Sequence, residues 1–229
     1  MSVKTALLTG GNRGIGLSIA MELQAVGFRI CLGMRQQSQL PTELNGALAL
    51  PYEASAPGSA DILVAETVER LGRIDVVVAS AGILRNVSIR DGKDADLDDL
   101  LDINVKAPYR LARACLPHLE ASGQGRFIML SSLSGKRVRG LNVGYQMSKH
   151  AVMALAHSVR RAGWDKGVRA TAICPAYVNT EMVAGVAGLD TQILTQPADL
   201  AKLVATIVQL PNTACVAEIM VNFQHEDMV

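Results

Sequence analysis

A chain of 229 residues that is 49% apolar and 19% charged carries enough nonpolar surface for one sizeable core, so a disordered or fibrous reading fails and one domain over 1–229 is preferred to two. Twenty-two Lys and Arg against 21 Asp and Glu leave a net charge of +1, which gives no broad positive field to attract nucleic acid or an anionic membrane. One Trp, four Tyr and three Phe offer little surface for stacking bases, and a small-molecule ligand is the expectation. Cys31, Cys115, Cys174 and Cys215 are scattered without a C-x-x-C pair, so neither a zinc knuckle nor a disulfide framework is indicated. With no signal-like start and no membrane-length apolar run, the sequence reads as a cytoplasmic protein.

In chain order, short apolar runs alternate with helical patterns. Strands are predicted near Thr5–Leu8, Arg29–Leu32, Ala47–Leu50, Asp75–Ala79, Gly125–Leu130, Arg169–Ile173 and Glu218–Asn222. Helices are predicted near Gly14–Val26, Ala60–Leu71, Asp98–Ala121, Gly144–Trp164 and Pro197–Gln209. An unbroken apolar run such as Val76-Val77-Val78 needs cover on both faces, so the pattern implies a doubly wound, Rossmann-like parallel sheet of about seven strands. Two stretches interrupt the alternation after strands, Leu84–Asp96 and Glu181–Gln196. In such folds ligands lie beyond the carboxyl ends of the strands, which makes these the candidate substrate loops.

The first strand runs into Thr9-Gly10-Gly11-Asn12-Arg13-Gly14-Ile15-Gly16 and then a helix. Glycines there permit a tight turn and a close backbone approach to a pyrophosphate, whose charge the helix amides and dipole stabilise. No Gly-Lys-Ser/Thr follows, which disfavours ATP. The second strand ends Leu32-Gly33-Met34-Arg35, with no acid to hold a ribose 2′-hydroxyl and an arginine suited to a 2′-phosphate. Arg13 and Arg35 together favour NADP(H) over NAD(H).

Further on, Tyr145 and Lys149 are four apart on a predicted helix and share a face. A cation about 4 Å from a phenol is worth about 4 kcal/mol at an effective dielectric of 20, or roughly three pKa units, enough to expect an acidified tyrosine. Ser131-Ser132 closes the apolar run Phe127–Leu130 thirteen residues upstream, where a hydroxyl can meet a substrate carbonyl. Asn104 stands on an apolar helical stripe and must find polar partners.

These motifs in this order resemble the short-chain dehydrogenase/reductase family over nearly the whole chain. The resemblance implies coenzyme contacts at Gly10, Asn12, Arg13, Gly14, Ile15, Gly16, Arg35, Glu53, Ala81, Gly82, Tyr145, Lys149, Pro175, Val178 and Thr180. It implies a catalytic set of Asn104, Ser132, Tyr145 and Lys149, in which Asn104 anchors a water of the proton relay, and hydride transfer between nicotinamide and a carbonyl or alcohol without a metal. It also implies a homo-oligomer, tetramer or dimer. Three positions depart from the family: Ala79-Ser80-Ala81-Gly82 replaces Asn-Asn-Ala-Gly, Glu53 replaces Asp, and Ala176 replaces Gly. The first of these motivates a second reading, an NADP-binding sensor that has lost turnover. The acidic run Asp94, Asp96, Asp98, Asp99 and Asp102 reads as helix-dipole complement, and His225-Glu226-Asp227 as a solvated tail.

Overall fold

Val76, Val77 and Val78 show how the two layers arise. Successive strand side chains point to opposite faces, so Val77 enters one core while Val76 and Val78 enter the other. The computed structural model describes residues 3–184 and 190–226. Its strands are β1 (Thr5–Thr9), β2 (Arg29–Met34), β3 (Leu48–Pro51), β4 (Val76–Ala79), β5 (Arg126–Leu130), β6 (Arg169–Pro175) and β7 (Glu218–Val221). They form one parallel sheet in the order β3-β2-β1-β4-β5-β6-β7, with Leu8 opposite both Leu32 and Val78.

The helices are α1 (Gly14–Ala25), α2 (Ser59–Leu71), α3 (Asp94–Leu101), α4 (Ala107–Ser122), α5 (Val143–Gly163) and α6 (Pro197–Gln209). Ile19 and Leu23 of α1 and Leu200, Val204 and Val208 of α6 cover the Val76/Val78 face. Leu63 of α2, Leu111 and Leu119 of α4, and Val152 and Ala156 of α5 cover the other. The doubly wound expectation holds. Strand order reverses between β1 and β4, so the turns leaving those two strands flank a crevice at the carboxyl edge. Among the described residues no helix is long and apolar enough to cross a membrane.

One element differs from its prediction. The single helix expected over Asp98–Ala121 is α3 and α4 joined by a π-helical turn, Asp102–Lys106, and it starts earlier, at Asp94. Asp94 and Asp96 lie in the first turn, where carboxylates complement the helix dipole. The wider π turn carries Asn104, and such turns commonly occur at functional sites.

Candidate active site and coenzyme cleft

Contact forces the glycines of the first turn. A Cβ on Gly10, whose φ is +69°, would lie 2.6 Å from the Ala81 nitrogen, and one on Gly16 would lie 2.1 Å from the Gly10 oxygen. The turn after β1 is thereby pressed against Ser80 and Ala81 after β4. At the start of α1, Arg13 supplies no side-chain cap and no acid occupies the first turn, so the positive helix end faces the crevice uncompensated. This cradle fits a pyrophosphate, with Asn12 exposed at its rim and Ile15 partly buried beneath it.

The two arginines occupy different surroundings. Arg35 is exposed just beyond β2 and, with Glu53, Ser59 and Ile62, lines a cavity of about 320 Å³ at the ends of β2 and β3. Glu53 accepts hydrogen bonds from the Ser55 hydroxyl (3.1 Å) and amide (3.4 Å), so its carboxylate is braced by its own turn. Arg13 pairs with Glu181 at 2.7 Å, an exposed bridge between the glycine turn and the segment after β6.

Ser80 accounts for the departure after β4. Its hydroxyl donates to the Thr9 carbonyl at 2.6 Å, tying the ends of β1 and β4 together at the crevice. Next to it, Asn104 is buried and fully engaged. Its Oδ1 accepts from the Ile83 amide (2.9 Å), and its Nδ2 donates to the Ile83 carbonyl (3.0 Å) and the Ser148 hydroxyl (3.1 Å). Asn104→Ala should lower the unfolding free energy by roughly 2–4 kcal/mol, because the Ile83 groups lose their partners in the interior. Urea denaturation is the check, and an unchanged midpoint and slope would show that this tie carries no load. Gly82 packs closely here: a Cβ on it would stand a tight 3.3 Å from Asn104 Oδ1 and 3.9 Å from Lys149 Nζ.

Ser132 follows β5, its hydroxyl donating to the Pro175 carbonyl at 3.4 Å and near enough to the Tyr145 phenol to lower its pKa. Asn142 caps α5, accepting from the Tyr145 amide, and so sets where the tyrosine leaves the helix. Lys149 Nζ lies 5.5 Å from the Tyr145 ring centroid and donates to the Leu130 carbonyl at 2.9 Å. The expected acidified phenol is not found. Burial pushes the Tyr145 phenol up to about 12, against the lowering effect of the nearby Ser132 hydroxyl, and burial presses Lys149 down to about 8. The simple Coulomb argument left out desolvation, which is the largest influence on both groups.

After β6, Thr180 packs its methyl 3.4 Å from where a Gly14 Cβ would be, and Val178 is buried and pairs with Thr195 in a short bridge. The glycine turn therefore meets Ala81 and Thr180, Gly82 lies beside Asn104 and Lys149, and Ser132 meets Pro175. The catalytic candidates and the glycine turn lie at the same carboxyl edge of the sheet. Of the two candidate substrate loops, Leu84–Asp96 packs on the start of α5 through hydrogen bonds of Asn142 to Val87 and Arg85, enclosing about 230 Å³ beside Val87, Leu97 and Met147. The other, Glu181–Gln196, falls partly outside the described residues. The acidic run is engaged elsewhere, Asp96 and Asp99 by Arg85 and Asp102 by Lys106. Contrary to the solvated-tail expectation, the Glu226 side chain is buried, because Arg137 folds over it; Asp227 lies outside the described residues.

The family model described as short chain dehydrogenase matches residues 4–188. This chain belongs to the short-chain dehydrogenase family. Among the relatives of this short-chain dehydrogenase, agropine synthesis reductase of Rhizobium rhizogenes is 37% identical over 217 residues, covering 92% of this chain and 50% of the relative. The chain thus spans about half the length of that relative. Oxidoreductase UcpA of Escherichia coli (strain K12) is 34% identical over 191 residues, covering 80% of this chain and 73% of the relative. Among solved structures, an alcohol dehydrogenase from the archaeon Thermococcus sibiricus, complexed with 5-hydroxy-NADP, superposes with a TM-score of 0.88 at 25% identity, covering 98% of this chain and 99% of that one.

Sequence reasoning missed the Arg137–Glu226 pair and the approach of Phe223 to Tyr177. Nothing local in the sequence pairs residues so far apart in the chain.

Proposed function

We propose that this short-chain dehydrogenase reduces a carbonyl compound to the alcohol using NADPH, with Tyr145 as the proton donor. What carries the reading is the Tyr145 phenol at the start of α5, kept protonated by burial and set beside Ser132 and Lys149 at the same carboxyl edge of the sheet as the glycine cradle. The cradle residues Gly10 to Gly16, with Ala81, Gly82, Pro175, Val178 and Thr180, would hold the coenzyme, which when bound supplies a hydride to the carbonyl carbon. As the carbon–oxygen π bond opens, its electron pair goes to oxygen, and the Tyr145 hydroxyl passes its proton there. Ser132 donates a hydrogen bond to the same oxygen and stabilises its growing charge. The tyrosinate left behind faces Lys149, mostly ammonium at pH 7 with a pKa of about 8. A water held beside Asn104 and Lys149 would return the proton.

Arg35 beyond β2 and Arg13 on the glycine turn support NADPH, as does the bound 5-hydroxy-NADP of the archaeal relative. The Ser80 tie weakens the case for a sensor, since the altered segment still joins β1 to β4. Exposed Tyr109 on α4 and Met147 on α5 support a homo-oligomer built on those helices.

Titration of NADPH and NADH, followed by coenzyme oxidation across ketones, 3-oxoacyl thioesters and quinones, tests the reading. NADPH should bind at least tenfold more tightly. Arg35→Ser should weaken NADPH by about 10- to 100-fold, in line with the 1.5–3 kcal/mol of a hydrogen bond to a charged group, and leave NADH within about twofold. Equal affinity for the two coenzymes would reject the NADPH preference, and binding without turnover of any carbonyl would favour the sensor.

A further inference from the structure

The stretch after β7 folds back onto the turn that carries Ser132. Glu226 receives hydrogen bonds from Arg137 Nε at 2.7 Å and from a terminal nitrogen of the same guanidinium, while Arg139 lies 3.4 Å from its other oxygen. The carboxylate is 6% exposed and the Arg137 side chain 9%. A guanidinium fork around a buried carboxylate holds one geometry, and removing either partner strands the other's charge. Arg137 belongs to the serine turn, since its amide donates to the Leu133 carbonyl.

Three residues before Glu226, the Phe223 ring lies 6.1 Å from that of Tyr177, tilted by 52°, within the range of favourable aromatic pairs. Tyr177 is two residues past Pro175, whose carbonyl accepts from Ser132, and it is near enough to Tyr145 to help raise that phenol's pKa. The serine turn is thus tied to the Glu226 segment by the Arg137 pair and, through the Ser132–Pro175 hydrogen bond and the chain from Pro175 to Tyr177, to the Phe223 ring three residues before Glu226. Leu84, Val138, Leu141 and Met182, on loops at the same edge of the sheet, are exposed and apolar.

We infer that Tyr177 and Phe223 form an aromatic wall of the substrate pocket, clamped by Glu226 in the Arg137 fork, and that this wall selects uncharged carbonyl compounds bearing an aromatic or planar unsaturated group beside the carbonyl. The inference rests on the carbonyl-reductase reading above and names the substrate class for that site. Two rings offer a large apolar face at low entropic cost. Arg137, committed to Glu226, presents no unpaired cation to a carboxylate substrate. Phe223 and Glu226 are then specificity and positioning residues, not catalytic ones.

The test uses a matched pair of probes, 1-phenylpropane-1,2-dione and pentane-2,3-dione. Their dissociation constants are measured on the NADP⁺-loaded protein and their kcat/KM values with NADPH. The phenyl compound should be favoured at least tenfold by both measures. Phe223→Ala, or Phe223→Leu should the alanine variant fold poorly, should cut that preference to threefold or less, and Phe223→Tyr should keep it. Glu226→Gln should lower the preference in the same way and, by leaving Arg137 without its carboxylate, improve KM for phenylglyoxylate at least fivefold. A merely structural role would shift all three probes alike. A wild-type protein that binds the two diketones equally or binds neither overturns the wall, as do variants that leave the ratio intact. Failure to turn over any carbonyl would instead strike the reductase reading, while the binding ratio would still decide the wall.

Discussion

Tyr145→Phe is expected to lower NADPH-dependent carbonyl reduction by at least about a thousandfold while the coenzyme dissociation constant changes less than twofold. The substitution removes one oxygen and keeps the ring, so the packing at the start of α5 and the Asn142 cap survive. What goes is the phenol proton, a contribution of about 10² to 10⁴ for general acid catalysis. Ser132 remains able to polarise a carbonyl, so a small residual rate is expected in place of none. Single-turnover oxidation of bound NADPH separates the chemical step from product release. A variant within tenfold of wild type would remove Tyr145 from the proton-donor role.

Lys149→Met should abolish turnover and make the protein more stable, an uncommon pairing that follows from burial. The ammonium has its pKa pressed from 10.5 to about 8, so the folded state holds this proton less well than the unfolded chain does. For a base with a depressed folded pKa, the cost is fully present below about pH 8 and is released as pH rises from there to about 10.5. At pH 7 it amounts to about 3 kcal/mol, less roughly 1 kcal/mol for the hydrogen bond to the Leu130 carbonyl that methionine cannot make. The variant should therefore melt several degrees higher at pH 7, at about 2–4 °C per kcal/mol for a chain of this size, and the advantage should fade by pH 10.5. Wild-type reductase activity should in parallel decline as pH rises through about 8, where Lys149 loses the charge that stabilises the tyrosinate. Calorimetry at pH 7 and 10.5 with a pH–rate profile checks both limbs. A lower melting temperature at pH 7 would contradict the picture of a costly buried cation.

The strands, the glycine turn and the Tyr145–Lys149 spacing were legible because each is local. Period-two and period-3.6 patterns reflect which face is buried, and the glycines of the first turn report a close approach within one βα unit. Ser132 was legible less directly, as a hydroxyl closing an apolar strand, and Asn104 as a polar residue on an apolar stripe. The π turn at Asp102–Lys106 was not, since its sequence continues the helical stripe and only the bonds from Asn104 to Ile83 and Ser148 distinguish it.

The amino-acid sequence by itself determined the layered parallel sheet, the side of it on which a nucleotide would lie, and the residue types facing it. Those depend on burial periodicity and on backbone conformations open to glycine. Only the tertiary structure decided the protonation balance of Tyr145 and Lys149, because desolvation depends on every group packed around them. It also decided that Ser80 stands in for a missing amide and that Glu226 is buried under Arg137, since both depend on partners far away in the chain meeting at one edge of the sheet.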